Sequence, residues 1–283
     1  MLTLMAPPLR LHGIREVHQN ADAFDQNVEE IRNIGYTVID SGLSADDLQL
    51  IRDKIDEVYE QQVREIGGEE HLKRINDADV ARSILAYDDL FVGLAAHASI
   101  VTILRRMMGE HFILMSQNGI LNRPGDTPYS ATWHRDLNYQ HFVSSRPLSM
   151  SALYCIDDFR AETGGTWLLP ASHKSEEFPS PEYVEKHAIA VDAKAGSILV
   201  FDAMIYHRGG VNYSDHVRRG VNHIYTLPLI KQQISFPRML GGRFSDDPFL
   251  RGLLGYDSET GESAYEWRAK RLAAAPQAAA THV

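Results

Sequence analysis

Thr132-Trp133-His134-Arg135-Asp136-Leu137 is the stretch on which the reading of this chain turns. His134 and Asp136 stand two apart, so on an extended segment both side chains leave the same face. An imidazole beside a carboxylate supplies two ligands for a divalent metal, and a second imidazole would complete the set. His207, in Phe201-Asp202-Ala203-Met204-Ile205-Tyr206-His207, is the candidate third ligand. Two histidines and one carboxylate on one face of an octahedron, with the other positions open, form the ligand set of non-haem Fe(II) oxygenases. The competing readings are a surface polar pair for the triplet and a backbone-bonded histidine for His207. An H-x-D triplet arises by chance in many chains, so the surrounding sequence has to carry the case.

Outward from the triplet the chain reads as strands. Phe112-Ile113-Leu114-Met115 opens a buried run, and strand candidates follow at residues 149–156, 166–169, 189–191, 197–201 and 220–227, separated by Gly, Pro, Asp and Ser turns. His207 lies just past the buried run that ends at Phe201, so it arrives from a different strand than His134. Many short strands closing on themselves indicate a jelly-roll, cupin-like core, a double-stranded β-helix. Toward the N-terminus the period becomes helical. Phe24, Val28 and Ile31 fall on one helix face before Gly35, and Tyr36-Thr37-Val38-Ile39 is a short strand. Ser44 and Asp47 cap a helix that carries Leu48, Ile51, Ile55, Val58 and Tyr59 on one side. A second helical stretch is expected over residues 88–108, closed by Gly109. The fold class is mainly β with flanking α. The division expected within a single domain of residues 1–283 is an arm (1–20), helical support (21–110), the jelly-roll core (111–230) and a C-terminal extension (231–283) with a mobile tail.

Composition narrows the function classes. At 44% hydrophobic and 23% charged residues, the chain has the balance of an ordinary globular protein, not of a disordered one. A formal net charge of -10 disfavours non-specific nucleic-acid binding and anionic membrane surfaces. Cys155 is the only cysteine, so thiolate metal sites and internal disulfides drop out, and a reducing cytoplasmic location is expected. The proline-broken start lacks a signal peptide's apolar core, and no run approaches the roughly 18 apolar residues that span a bilayer. The expected partner is a small-molecule substrate, with neither nucleic acid nor membrane.

Iron chemistry of this type takes a chelating co-substrate and O2 at the open positions. A 2-oxoglutarate chelates through its 2-oxo acid end and leaves a second carboxylate pointing into the barrel. Arginine suits that carboxylate, because its planar fork gives two parallel charge-assisted hydrogen bonds. Arg218 and Arg219 both follow His207, and on a strand only one of two neighbours points inward.

Three segments together resemble the phytanoyl-CoA dioxygenase family of Fe(II)/2-oxoglutarate oxygenases, which includes the ectoine hydroxylases. They are Trp133-His134-Arg135-Asp136, the run from Gly164-Gly165-Thr166-Trp167 to Pro170-Ala171-Ser172-His173-Lys174, and His207 through Arg219. The second is similar to the family's N-G-x-x-x-x-x-P-G-S-H-like loop, with Thr163 for the usual asparagine and Ala171 for the usual glycine. The third follows H-x-x-G-x-N-x-S-x-x-x-R, with Gly210 and Asn212 in place. The resemblance runs from about Gly35 to Leu227. It implies Fe(II) held by His134, Asp136 and His207, and 2-oxoglutarate paired to Arg218, which stands eleven residues after the distal histidine. It also implies cofactor-binding roles for Gln117, seventeen residues before His134, and for Tyr154. Related halogenases leave the carboxylate position empty for chloride, so Asp136 implies hydroxylation of a C–H bond, with succinate and CO2 as co-products. Desaturation, cyclisation or epimerisation can share that chemistry.

Two other classes stay open on the residues alone: a cupin-like protein that binds a small molecule or metal without turnover, and a Zn(II) hydrolase. His173 is expected to order the barrel mouth, and His141 and His223 could approach the pocket. His71, His97, His187 and His216 read as surface or packing residues, and Trp167 as core. Arg135, Asn138, Tyr139 and Arg146 are candidates to meet substrate. The expected lid comprises residues 125–131, 175–181 and the segment after Lys231. It carries no clear basic cluster for coenzyme A, which favours a small or medium metabolite.

Overall fold

The computed structural model describes residues 9–125, 131–137 and 141–275. Six antiparallel strands form the large sheet, in spatial order β1 (Tyr36–Asp40), β7 (Ser197–Asp202), β4 (Ser149–Cys155), β9 (Arg218–Thr226), β3 (Ile113–Asn122) and β2 (Val80–Arg82). A smaller sheet runs β6 (Ile189–Ala190), β5 (Trp167–Leu168) and β8 (His207–Arg208). Together they make the jelly-roll core, with helices on one side of the large sheet.

Strand alternation sorts the large sheet into two layers. Met150, Ala152, Tyr154, Ile198, Val200, Val221 and Tyr225 join a core built with α1 (Ala23–Ile34), α2 (Ala45–Ile66), α4 (Leu90–Ala95) and α5 (Ala98–Met108). Leu153, Leu199 and Phe201 leave the opposite face and pack against Leu168, Val191 and Ile205, closing the barrel interior between the sheets. Each large apolar side chain buried this way stabilises the fold by about 1.5–3 kcal/mol. The capping box at Ser44 forms as its residues imply: Ser44 Oγ accepts from Asp47 N, and Asp47 accepts from Ser44 N.

The single helix expected over 88–108 is corrected to two. Ala96 and His97 break it, with His97 extended at ψ 127° and its Nε2 3.1 Å from Ser41 O. The carbonyls of Leu94 and Ala95 accept from the hydroxyls of Tyr154 (3.0 Å) and Tyr225 (2.9 Å), and Leu94 O also from His97 N at 3.4 Å. Tertiary partners thus supplement the local ones at the break, while the apolar stripe continues through both helices, which is why periodicity alone reads one element. The sequence signals also miss several short pieces, among them β2 and α6 (Pro181–His187). A final helix spans Ala264–Ala274. The tail expected to be mobile and the first eight residues of the arm lie outside the described residues. No helix among the described residues is long and apolar enough to cross a membrane.

Candidate metal centre and co-substrate pocket

The H-x-D stretch is zipped onto the turn that carries His207. His134 N donates to His207 O (2.9 Å) and His207 N to His134 O (3.0 Å), an isolated antiparallel bridge. Asp136 N donates to Ala203 O at 3.0 Å. The backbone therefore brings the three side chains together, and one ligand atom from each lies within 4.8 Å of the others. Asp136 Oδ1 is 3.5 Å from His207 Nε2 and 3.9 Å from His134 Nε2. Both rings turn Nδ1 to a local carbonyl, His134 to Thr132 O (2.8 Å) and His207 to Ile205 O (3.0 Å). An Nδ1–H donated there leaves an Nε2 lone pair on each ring aimed at Asp136 Oδ1. Three acceptors converging on one point fit a cation, and the mixed nitrogen and oxygen set suits Fe(II).

Electrostatics couple the three side chains to one another. Burial, then the nearby His207, pushes His134 below the ordinary histidine range. Burial favours a protonated Asp136, but the adjacent His207 outweighs it and holds the carboxyl low. Burial also works against a charged His207, and the Asp136 carboxylate overcomes it, raising that ring. Ser151, from the interior face of β4, donates its hydroxyl to Asp136 Oδ2 and so fixes the carboxylate's rotation. The His134 side chain is 34% exposed, against 7% for Asp136 and 9% for His207.

Arg218 answers the question that spacing left open. It points into the barrel, 4% exposed, with its guanidinium 4.2 Å from the Phe159 ring centroid and Nη2 donating to Gly164 O at 2.6 Å. Its Nε is buried with no hydrogen-bond partner among the described residues, and burial pushes the side chain down to about 10. A buried cation with an unused donor fits a ligand carboxylate. Arg219 faces the other way, onto Asp56.

The motif loops shape this corner. A Cβ on Gly164 (φ +72°) would stand 2.4 Å from Asn122 Nδ2 and 2.8 Å from Gly210 O, so both glycines mark a close backbone approach. Asn122 Nδ2 donates to Gly164 O and Gly210 O, and Asn212 Nδ2 to Asn122 O and His216 O. Thr163, at the usual asparagine position, stabilises its own turn by accepting from Arg160 N and donating to Asp158 O. Ala171, at the usual glycine position, takes the left-handed conformation at φ 62°.

The structure does not bring Gln117 and Tyr154 to this cavity, which corrects their expected place beside the co-substrate. Gln117 is fully buried on the helix-facing side, where Nε2 donates to Phe91 O and meets His223 Nε2, and Oε1 accepts from Leu85 N. Tyr154 bonds Leu94 O on the same side. His223 lies in that layer too, so it does not approach the pocket. Asn118, Asn222 and Ser151 occupy interior positions that sequence reasoning passed over or left unassigned. His173 is buried against Gly35, and Trp167 is half-buried with Arg208 over its ring. Arg146 and His141 are exposed, whereas Asn138, Tyr139 and residues 126–130 of the expected lid lie outside the described residues.

Known proteins share this fold. The fold is shared with the non-heme alpha ketoglutarate dependent carbocyclase SnoK from nogalamycin biosynthesis, with TM-score 0.56, 22% identity and coverage of 72% of this chain and 83% of that one. It is also shared with EctD from S. alaskensis, solved with 2-oxoglutarate and 5-hydroxyectoine, with TM-score 0.61, 19% identity and coverage of 78% and 82%. Residues 31–220 match the phytanoyl-CoA dioxygenase family, and the chain belongs to that family. An uncharacterized protein of Mycobacterium tuberculosis is 32% identical over 229 residues, covering 79% of this chain and 82% of its own length.

Proposed function

We propose that this protein is an Fe(II)- and 2-oxoglutarate-dependent dioxygenase that hydroxylates an unactivated C–H bond of a small or medium metabolite. The observation that carries the reading is the convergence of His134, Asp136 and His207 within 4.8 Å. Arg218, buried in the same barrel with a free donor, extends it to the co-substrate. Bound there, iron with 2-oxoglutarate and O2 supplies the oxidising power, and the co-substrate leaves as succinate and CO2. His134 and His207 turn their Nε2 atoms to the metal position, because their Nδ1 atoms face backbone carbonyls. Asp136 supplies the negative ligand, oriented by Ser151. Arg218 orients the distal carboxylate, and Phe159, Leu153 and Leu199 keep water from that end of the barrel.

The test is an anaerobic titration of the protein with Fe(II) and 2-oxoglutarate, followed in the visible. A weak metal-to-ligand charge-transfer band is expected, and its loss of 2-oxoglutarate dependence in Arg218→Ala. No band, together with parental 2-oxoglutarate binding in that variant, overturns the proposal. A zinc hydrolase or a non-catalytic binder would form no succinate. In a metabolite screen for stimulated succinate formation, hydroxylation adds one oxygen to the product mass, desaturation or cyclisation removes two hydrogens, and epimerisation leaves the mass unchanged.

A further inference from the structure

Arg135 stands between two candidate ligands in sequence, yet its side chain leaves the opposite face and is 4% exposed. Its Nε donates to Met204 O at 2.7 Å, within the turn that delivers His207. Nη1 donates to Glu176 O at 3.3 Å, and Nη2 to Ser172 O at 3.2 Å and to Ser175 O. The guanidinium lies 4.0 Å from the centroid of the Tyr206 ring, whose own hydroxyl donates to Glu176 O. One planar cation thus grips three pieces of chain: the H-x-D stretch, the 203–207 turn and the 172–176 turn. Every ligand has a neighbour in that grip, His134 and Asp136 through Arg135 itself and His207 through Tyr206.

We propose that Arg135 is a positioning residue that fixes the spacing of His134, Asp136 and His207 from behind, so that the ligand set is preorganised before metal arrives. The backbone bridge between His134 and His207 and the Asp136 N–Ala203 O hydrogen bond set which atoms meet. The guanidinium adds a side-chain tie from that crossing to the 172–176 turn. Arginine suits the task because its rigid fork reaches several carbonyls at once while its face stacks on an aromatic ring. A lysine keeps the charge but has neither the fork nor the face.

This inference rests on the proposed metal site, and Co(II) is the probe because its visible bands report ligand geometry without turnover. Parent, Arg135→Lys and Arg106→Ala are titrated with Co(II) alone, and their metal-free melts are recorded. Arg106→Ala breaks a distant ion pair with Asp22 and Asp25 and controls for general loss of stability. Arg135→Lys is expected to bind Co(II) at least about tenfold more weakly, with altered bands, as for partners that orient metal ligands. Arg106→Ala is expected to match the parent. Parental affinity and bands in Arg135→Lys overturn the proposal. If Arg135→Lys does not melt cooperatively, Tyr206→Leu, which removes only the stacking face and one hydroxyl, decides: a several-fold loss of affinity supports the role and parental affinity overturns it. A parent that binds no Co(II) overturns the metal site itself, and this proposal with it.

Discussion

Arg218 and Arg219 are adjacent in sequence and stand on opposite faces of β9, one over the Phe159 ring inside the barrel and the other paired with Asp56 outside it. The two variants should therefore separate ligand binding from stability. Arg218→Ala is expected to lower 2-oxoglutarate affinity about 10- to 100-fold, the worth of one or two charge-assisted hydrogen bonds. Arg219→Ala is expected to cost about 1 kcal/mol of stability, the scale of a partly exposed ion pair, and to bind 2-oxoglutarate as the parent does. Calorimetric titration beside urea unfolding measures both. The reverse pattern would show that the faces are assigned the wrong way round.

Ser151 is the interior residue whose hydroxyl reaches Asp136 Oδ2. Removing it leaves Asp136 in place but free to rotate. Ser151→Ala should weaken Fe(II) affinity about tenfold while Ser151→Thr retains most of it. Equal affinities across the parent and both variants would assign the hydroxyl no part in holding the ligand.

Ala171 carries a left-handed backbone, φ 62°, that disfavours a Cβ. Its amide N donates to Ile34 O at 2.8 Å, so the turn is held against α1 and cannot relax easily. Ala171→Gly should stabilise the protein by about 0.5–1 kcal/mol, the relief of strain less the entropy that glycine loses on folding. A raised melting temperature checks it, and an unchanged or lower one contradicts it.

His223 is fully buried, and burial pushes its imidazole down to about 3. Between the unfolded value near 6.5 and about 3, the unfolded chain binds a proton that the folded chain refuses. Stability from this group is thus complete above pH 6.5 and is lost as pH falls, by up to about 1.4 kcal/mol per unit. His223→Phe should lose about 1.6 kcal/mol less than the parent between pH 6.5 and pH 5. Urea unfolding at the two pH values reads the difference. Matching losses would place that ring's protonation elsewhere.

The sequence reading succeeded where one periodicity governed. A spacing of two put His134 and Asp136 together, and the arginine pair needed only alternation and a motif count. Gln117 shows why the same rule fails one strand away. Counted from Leu114, which faces the helices, alternation sends Gln117 inward and Asn118 outward. A bulge between Leu114 and Ser116 inserts one residue and reverses that phase. Nothing in Leu114-Met115-Ser116-Gln117 announces it. The break at His97 was hidden for a related reason, since its carbonyls are satisfied by tyrosines more than fifty residues downstream. Arg135 reads from the sequence as a candidate to meet substrate; the hydrogen bonds that bury it instead include four to backbone carbonyls, which have no residue-type signature.

The bridge between His134 and His207 makes the metal centre a matter of register. Two residues that exchange both backbone hydrogen bonds sit about 5.5 Å apart at Cα whatever their side chains are. The Cα spacing beneath the two imidazoles is therefore metered by the peptide unit. A histidine moved one place, to 206 or 208, would carry its ring to the far side of the strand. Loops between the two crossings can change in length and composition without disturbing that gauge. A single-residue insertion between His134 and Asp136 would turn the carboxylate to the far face while leaving all three ligand types in the chain.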